Sequence, residues 1–216
     1  MLPYMVRYQY HTPSQRQIEI GGIPMNVYDA IINRRSIRKF RQIPLERTDI
    51  ERWINGARLA PQAANLQPVK YLVVDDPSLL SSVFDTTKWA AYLYPDHTPE
   101  PDQRPVAYIV LLIDTQIKAA GYDTDAGACG ENLILCAQGD GVGSCWLGAV
   151  NRPVLAQVLN ISHRFLIHSV IALGYPDESP VSEPMSGDAI QYYEDSTGTL
   201  HVPKRSFSDL VFYNHG

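Results

Sequence analysis

The chain has 216 residues, 45% of them hydrophobic and 19% charged, with a formal net charge of −5. That length suits one domain with room for a sizeable core, and the apolar fraction excludes a disordered chain. The acidic balance argues against a nucleic-acid surface, and no apolar run approaches the ~20 residues of a membrane span.

Residues 1–24, dominated by Tyr, Gln, Pro and Gly, read as an N-terminal arm without the apolar segment of a secretory signal. Asn26 is placed to cap a helix through Tyr28, Ile31 and Ile32. Ile50, Trp53, Ile54 and Ala57 recur at helical spacing and predict a second helix ending near Pro61. Val69 to Val74 reads as a strand, Asp85 to Pro105 as a loop rich in Pro, Asp and Tyr, and Ala107 to Asp114 as a buried strand. The longest helical pattern runs from about Tyr122 to Gln138, with Ala126, Cys129, Leu133, Cys136 and Ala137 on one face. Gly139, Gly141 and Gly143 end it and lead into a strand at Ser144 to Leu147. Pro153 to Leu159 reads as a helix, Phe165 to Leu173 as another buried strand, and 176–203 as a polar surface arm. A short helix, Phe207 to Tyr213, closes the chain. Strands and helices alternate loosely, so the expected architecture is one α/β or α+β layered domain over 1–216.

The familiar catalytic signatures are absent: there is no GxSxG, no HExxH and no GxxxxGK[ST]. The six histidines are scattered, and His168, inside an apolar strand, reads as a core or interface residue. Three cysteines without CxxC spacing read as reduced thiols of a cytoplasmic chain, and no metal set accompanies them. Gly139-Asp-Gly-Val-Gly143 follows a helix and precedes a strand, the reverse of a dinucleotide fingerprint.

Five segments stand out instead. Arg34-Arg35-Ser36-Ile37-Arg38-Lys39-Phe40 places four cations in seven residues, with Ile31, Ile32 and Phe40 expected to pin it to the core. Pinned guanidinium groups beside a hydroxyl suit a phosphate, against the plainer reading of a solvated basic turn. Pro61-Gln62-Ala63-Ala64-Asn65-Leu66-Gln67 joins a helix to a strand. Its small residues would let backbone approach a flat ligand, while Asn65 and Gln67 offer donors and acceptors to a heterocycle edge; an ordinary polar loop is the alternative. Ala126, Gly127, Ala128 and Gly130 would allow close helix packing, with core packing or a subunit interface the expected job of that face. Trp146-Leu147-Gly148-Ala149 ends a strand where main-chain N–H groups can reach a ligand. Lys204-Arg205 forms a second cationic pair that could join the first at one dianion.

With these segments in this order, the chain resembles the FMN-dependent nitroreductase superfamily from about Val27 to Val211. RRSIRKF, APQAANLQPVKYLVV, DAGACGENLILCAQGDGVGSCWLG, IALGYP and KRSFSDLV carry the likeness. The resemblance implies an α+β fold with a mixed central sheet flanked by helices. It also implies an intertwined homodimer with FMN at the interface, the 176–205 arm contacting the partner subunit. By position, Arg34, Arg35 and Ser36 look like the phosphate and ribityl clamp, closed by Lys204 and Arg205. Arg38 matches a cation near the pyrimidine end of the flavin ring, where it would stabilise the anionic reduced state. Pro61, Gln62, Ala63, Asn65 and Gln67 correspond to the segment lining the ring, and Leu147 and Gly148 to the backbone facing flavin N5.

No protein residue is expected to be catalytic, because the flavin would carry the chemistry. The implied activity is a ping-pong transfer from NADH or NADPH to an electron-poor small molecule such as a nitroaromatic or quinone. Dehalogenation, flavin-destroying synthesis of a cobalamin ligand, substrate dehydrogenation, or flavin binding or sensing without turnover would use the same clamp. Gln62 and Ala63 replace a frequent serine, Val69 a frequent aromatic, and Glu131 a frequent Gln, which leaves the substrate pocket open. The loop 86–105, with Lys88, Trp89, Tyr92, Leu93 and Tyr94, reads either as a lid over the flavin or as cover for the dimer surface.

Overall fold

Helices begin where the sequence supplies caps. In the computed structural model, which describes residues 19–20, 23–93 and 97–214, α1 (Val27–Asn33) opens on a capping box. The Asn26 side chain accepts from the Asp29 N–H, and the Asp29 carboxylate accepts from the Asn26 N–H. Helix α2 (Arg47–Arg58) buries Ile50, Trp53 and Ala57 completely, as its periodicity requires. Helix α3 (Pro77–Phe84) was passed over in the sequence, although both start signals are present: Asp76 accepts from the Ser78 N–H and Pro77 occupies the first turn. Helices α4 (Asp123–Gly139), α5 (Arg152–Val158) and α6 (Phe207–Leu210) complete the set.

Strands β1 (Glu19–Ile20) and β2 (Ile23–Pro24) pair with each other; residues 1–18 of the expected arm lie outside the described residues. The central sheet contains β3 (Val69–Val74), β4 (Ala107–Asp114), β5 (Gly143–Leu147) and β6 (Phe165–Gly174), in the order β3-β4-β6-β5. These four pair antiparallel throughout, and outside the strands an isolated parallel bridge joins Ser36 to Ser144. Every residue of β4 is buried, and its pleat divides them between two cores. Tyr108 and Val110 join Phe40, Trp89, Leu155 and Val170 on one face. Ile109 and Leu111 join Ile50, Trp53, Leu133 and Ile171 on the other, beneath α2 and α4.

Close helix approach occurs at Gly56 of α2, where a Cβ would stand 2.7 Å from Cys136 Sγ. The small residues of α4 serve core packing on one side, where Ala126 and Gly130 are buried. Gly130 lies against the Trp146 ring, at 2.2 Å from where its Cβ would be, and Gly127 faces open space.

One further expectation is corrected. Ile31 and Ile32 are 47% and 45% exposed, Ala30 being the one buried residue of α1; the cationic run is pinned by Phe40, as expected, together with Ile37. The 176–203 arm is a small sheet of β7 (Val181–Pro184), β8 (Tyr193–Glu194) and β9 (Leu200–Lys204), with β7 and β9 parallel. Among the described residues, no helix is long and apolar enough to cross a membrane.

Candidate functional site

The cationic run leaves α1 in extended conformation and crosses the open edge of β5, where the Ile37 N–H donates to the Ser144 carbonyl at 2.9 Å. Arg34 sits 4.0 Å from Glu131 of α4. The Arg35 guanidinium folds back onto the chain, Nη1 donating to the Ile32 and Arg34 carbonyls and Nη2 to Ser182 Oγ of β7. Its Nε is buried without a partner. Burial, and then the neighbouring Arg34 charge, push the Arg35 pKa below the ordinary guanidinium value. Such a group lacks an anion, and a phosphate oxygen would supply both the missing acceptor and the missing charge.

The backbone N–H groups of Arg38 and Lys39 both donate to the Glu178 carboxylate, which therefore occupies a second anion-binding turn of the same run. The Arg38 guanidinium lies 4.8 Å from the centroid of the Tyr192 ring. Lys204 ends β9 and pairs in register with Pro184, two residues beyond the Ser182 that holds Arg35. Arg205 pairs with Asp188 at 3.6 Å. The small C-terminal sheet thus brings Ser182 to the run, while each member of the second cationic pair keeps to its own arm.

Loop 61–67 is held at the first turn of α4 through Asp125, about 9 Å of helix before Glu131 at the middle of that helix. It contains a single 3-10 turn, Ala63–Asn65, and holds Ala64, Asn65 and Gln67 at φ of 51°, 54° and 55°. Three L-residues in the left-handed region within four positions amount to local strain, and strain persists only where surroundings enforce it. The enforcing group is Asp125, 1% exposed, whose Oδ1 accepts from the Ala63 N–H at 2.8 Å and whose Oδ2 accepts from Lys118 Nζ at 2.6 Å. Those two bonds, the backbone one first, hold the Asp125 carboxyl below the usual range. Gln62 Oε1 is buried without a partner, an acceptor able to meet a ring N–H.

Leu147 is buried and Gly148 exposed at the end of β5. From Ser144, where the cationic run attaches, to Gly148 the strand rises about 13 Å. That span is comparable to a ribityl phosphate with the near edge of its ring. The cationic run and the Leu147-Gly148 backbone therefore stand at two ends of one strand; Pro61, Gln62, Ala63, Asn65 and Gln67 lie at the N-terminal end of α4, whose Asp123 shares a cavity wall with Gly148.

The 86–105 loop is fastened beside Gly148. The Lys88 N–H donates to the Ala149 carbonyl and the Asn151 N–H to the Thr86 carbonyl. A cavity of about 670 Å³ lies there, lined by Thr86, Lys88, Trp89, Thr98 and Asn151 among others. Trp89 is buried, Tyr92 is exposed and meets Tyr192 edge-on, and Tyr94 lies outside the described residues.

Ser182, Glu178 and Asp125 were not singled out from the sequence. Asp125 carried one local signal, a carboxylate in the first turn of a helix. The other two act across more than a hundred residues and carried none.

Comparison with known proteins follows the same outline. A model of the Nitroreductase family matches residues 31–175. A protein of Archaeoglobus fulgidus, provisionally named NADH dehydrogenase/NAD(P)H nitroreductase, is 33% identical over 155 residues, 68% of this chain and 84% of its own. The NADPH-flavin oxidoreductase of Vibrio harveyi is 22% identical over 194 residues, 82% of this chain and 77% of its own. Among solved structures, an FMN-dependent nitroreductase from Clostridium difficile superposes with a TM-score of 0.63 at 21% identity, covering 87% of this chain and 98% of that one.

Proposed function

The chain belongs to the nitroreductase family, and on that premise we propose that it is an FMN-dependent oxidoreductase. It takes hydride from NADH or NADPH and passes it, in a ping-pong cycle, to an electron-poor acceptor such as a nitroaromatic or a quinone. One observation carries the cofactor assignment: the buried Arg35 Nε without a partner, beside Arg34 and Ser36, at the start of the strand that Gly148 follows. Arg34, Arg35 and Ser36 would hold the phosphate, Lys204 and Arg205 would close over it, and Arg38 would favour negative charge at the pyrimidine end of the ring. Leu147 and Gly148 would face N5. Pro61, Gln62, Ala63, Asn65 and Gln67 of a second copy would line the ring, as in the interfacial site that the family resemblance implies. The 176–205 arm would contact that partner subunit, and the exposed apolar side chains of α1 and the C-terminus (Val27, Tyr28, Phe207, Phe212) suit burial against it.

Bound there, FMN supplies the two-electron chemistry, accepting hydride and giving it up. The chain's own work is to anchor the phosphate, present backbone at the reacting edge and exclude water. The test is a visible spectrum of the purified protein, then anaerobic mixing with NADH and with NADPH. A yellow protein bleached by either nicotinamide is expected. Arg35→Gln removes the buried charge, and loss of a charged hydrogen bond, about 1.5–3 kcal/mol, weakens FMN binding roughly 10- to 100-fold in a fluorescence titration. A colourless protein that FMN does not reconstitute refutes the assignment. Tight FMN binding without reduction by either nicotinamide points to a flavin-binding protein without turnover.

A further inference from the structure

Strand β6 carries a bulge on which a hydrogen-bonded chain of side chains is built. Leu111 of β4 faces Ser169 and the next residue, Leu112, faces Ile167, so His168 has no partner across the strand. A bulge re-aims the extra side chain. Here the His168 ring comes beside the Ser169 hydroxyl, Nδ1 to Oγ 2.9 Å, which strict alternation of an unbroken strand would oppose. Arg152 of α5 satisfies the carbonyls around the irregularity. Its Nε donates to Ile167, and its Nη2 donates to His168 at 2.7 Å and to Gly148 at 3.3 Å. Trp146, His168, Ser169, Arg152, Asp123 and Gly148 share the wall of a cavity of about 400 Å³.

The hydrogen-bond inventory fixes the polarity of this chain. An indole N–H can only donate, so Ser169 Oγ accepts from Trp146 Nε1 at 2.7 Å. The serine proton then goes to His168 Nδ1. The neutral imidazole carries its proton on Nε2, 3.3 Å from Asp123 Oδ1. When His168 is protonated, Nδ1–H donates to Ser169 Oγ instead, and the serine hydroxyl is released toward the cavity. Asp123, on the solvent side, is the counter-ion. Tyr122, whose ring meets His168 edge-on, and Arg152 are the other titratable or charged groups facing it from α4 and α5.

We propose that Ser169 and His168 form a proton relay to an acceptor oxygen bound in this cavity beside Gly148. The inference rests on the flavin reading above, which puts the reacting edge at Gly148. A nitro group that takes up the hydride supplied by NAD(P)H through the flavin needs one further proton. One N–O bond breaks, nitrogen gains two electrons to become nitroso, and the oxygen leaves as water carrying the hydride hydrogen and that proton. The Ser169 O–H bond breaks as the product O–H forms, and the His168 Nδ1–H proton restores the serine. His168 is left as the Nε2–H tautomer of the resting structure. Solvent reprotonates it through the open cavity once product has gone.

Two measurements test the relay. In the flavin-free protein, 15N correlation spectra of the imidazoles should assign neutral His168 as the Nε2–H tautomer, and Ser169→Ala should alter that state. A Nδ1–H tautomer in the wild type overturns the relay. In the FMN-loaded protein, reduction by NADH and reoxidation by 4-nitrobenzamide are followed separately by rapid mixing. His168→Gln and Ser169→Ala should slow reoxidation relative to reduction by about 10²-fold and flatten its pH profile, and Ser169→Thr, which keeps a hydroxyl, should restore both. A chain that takes up no FMN overturns the flavin reading and the relay's reaction with it. A chain that takes up FMN and shows an unchanged rate ratio and pH profile in both variants overturns the relay alone.

Discussion

Replacing Asp125 with Asn tests whether one carboxylate holds the strained loop. The exchange preserves shape, and Asn Oδ1 can still accept from the Ala63 N–H at 2.8 Å. The second oxygen, 2.6 Å from Lys118 Nζ, becomes an amide that donates toward an ammonium. Lys118 is 14% exposed, so its charge loses a partner in poorly solvated surroundings. Breaking a fully buried pair costs about 3–5 kcal/mol, and the remaining exposure of Lys118 brings the expectation to about 2–4 kcal/mol. The strain being held is at least as large, at about 1–3 kcal/mol for each of the three residues forced into the left-handed region. The loop should therefore relax before the domain unfolds. For a chain of this length the melting temperature should fall by roughly 4–16 °C at pH 7, at about 2–4 °C per kcal/mol. Protease cleavage should appear within 61–67. The sign with pH is defined: the Asp125 carboxyl lies below its ordinary 3.8 in the folded state. Its contribution is complete above that value and is lost as pH falls through the depressed one. Wild type and variant should differ fully at neutral pH and converge in acid. An Asp125→Asn protein within 1 kcal/mol of wild type at pH 7, with the loop still protected, would refute the account.

Two further outcomes follow from the geometry. Gly130→Ala would set a Cβ 2.2 Å from the Trp146 ring and should cost about 1–3 kcal/mol with a changed tryptophan near-ultraviolet signal, whereas Gly127→Ala, facing open space in the same helix, should stabilise by up to about 1 kcal/mol in denaturant titration. His201 faces Asp195 at 3.0 Å and Glu183 at 2.9 Å through its two ring nitrogens, so both must carry protons. Asp195 first, then Glu183, hold the imidazole above its ordinary 6.5, while Thr197, Thr199 and His201 hold Asp195 below its ordinary 3.8. The histidine contribution is complete below 6.5 and is lost as pH rises through the raised value. The aspartate contribution is complete above 3.8 and is lost as pH falls through the lowered one. Proteolytic protection of β7, β8 and β9 should peak between those values, and His201→Gln should abolish the loss on the alkaline side.

What the sequence made legible was local. Ile50, Trp53 and Ala57 announce one buried helix face, and all three are fully buried. Asn26 caps the helix it precedes because the cap and its partner Asp29 are three residues apart. Asp76-Pro77 is equally readable as a helix start, although the pattern of apolar residues assigns no element between Val74 and Asp85. Ile31 and Ile32 mislead for a physical reason: apolar spacing marks a face to be covered without saying whether the cover is this chain's own core. The same limit applies to the arm, where Val181 pairs with His201 across twenty residues. A parallel pairing of two short, polar strands leaves no alternation to read.

The candidate site divides along the same line. RRSIRKF and the glycine after Leu147 could be named from composition, because cations and a freed backbone are properties of the residues themselves. The orphaned Arg35 Nε, the Glu178 carboxylate on two backbone N–H groups and the hold of Asp125 on Ala63 are relations between distant residues. The bulge at His168 belongs to the last group and shows why a lone histidine in an apolar strand reads as core. Alternation places neighbouring side chains on opposite faces, so Ser169 beside His168 predicts no contact between them. Only the two-for-one register with Leu111 and Leu112 of β4 brings ring and hydroxyl within 2.9 Å, and neither strand carries that register by itself. A residue whose chemistry depends on a mismatch between two strands is invisible in either one, and such mismatches are where a regular sheet can turn a core position toward a cavity.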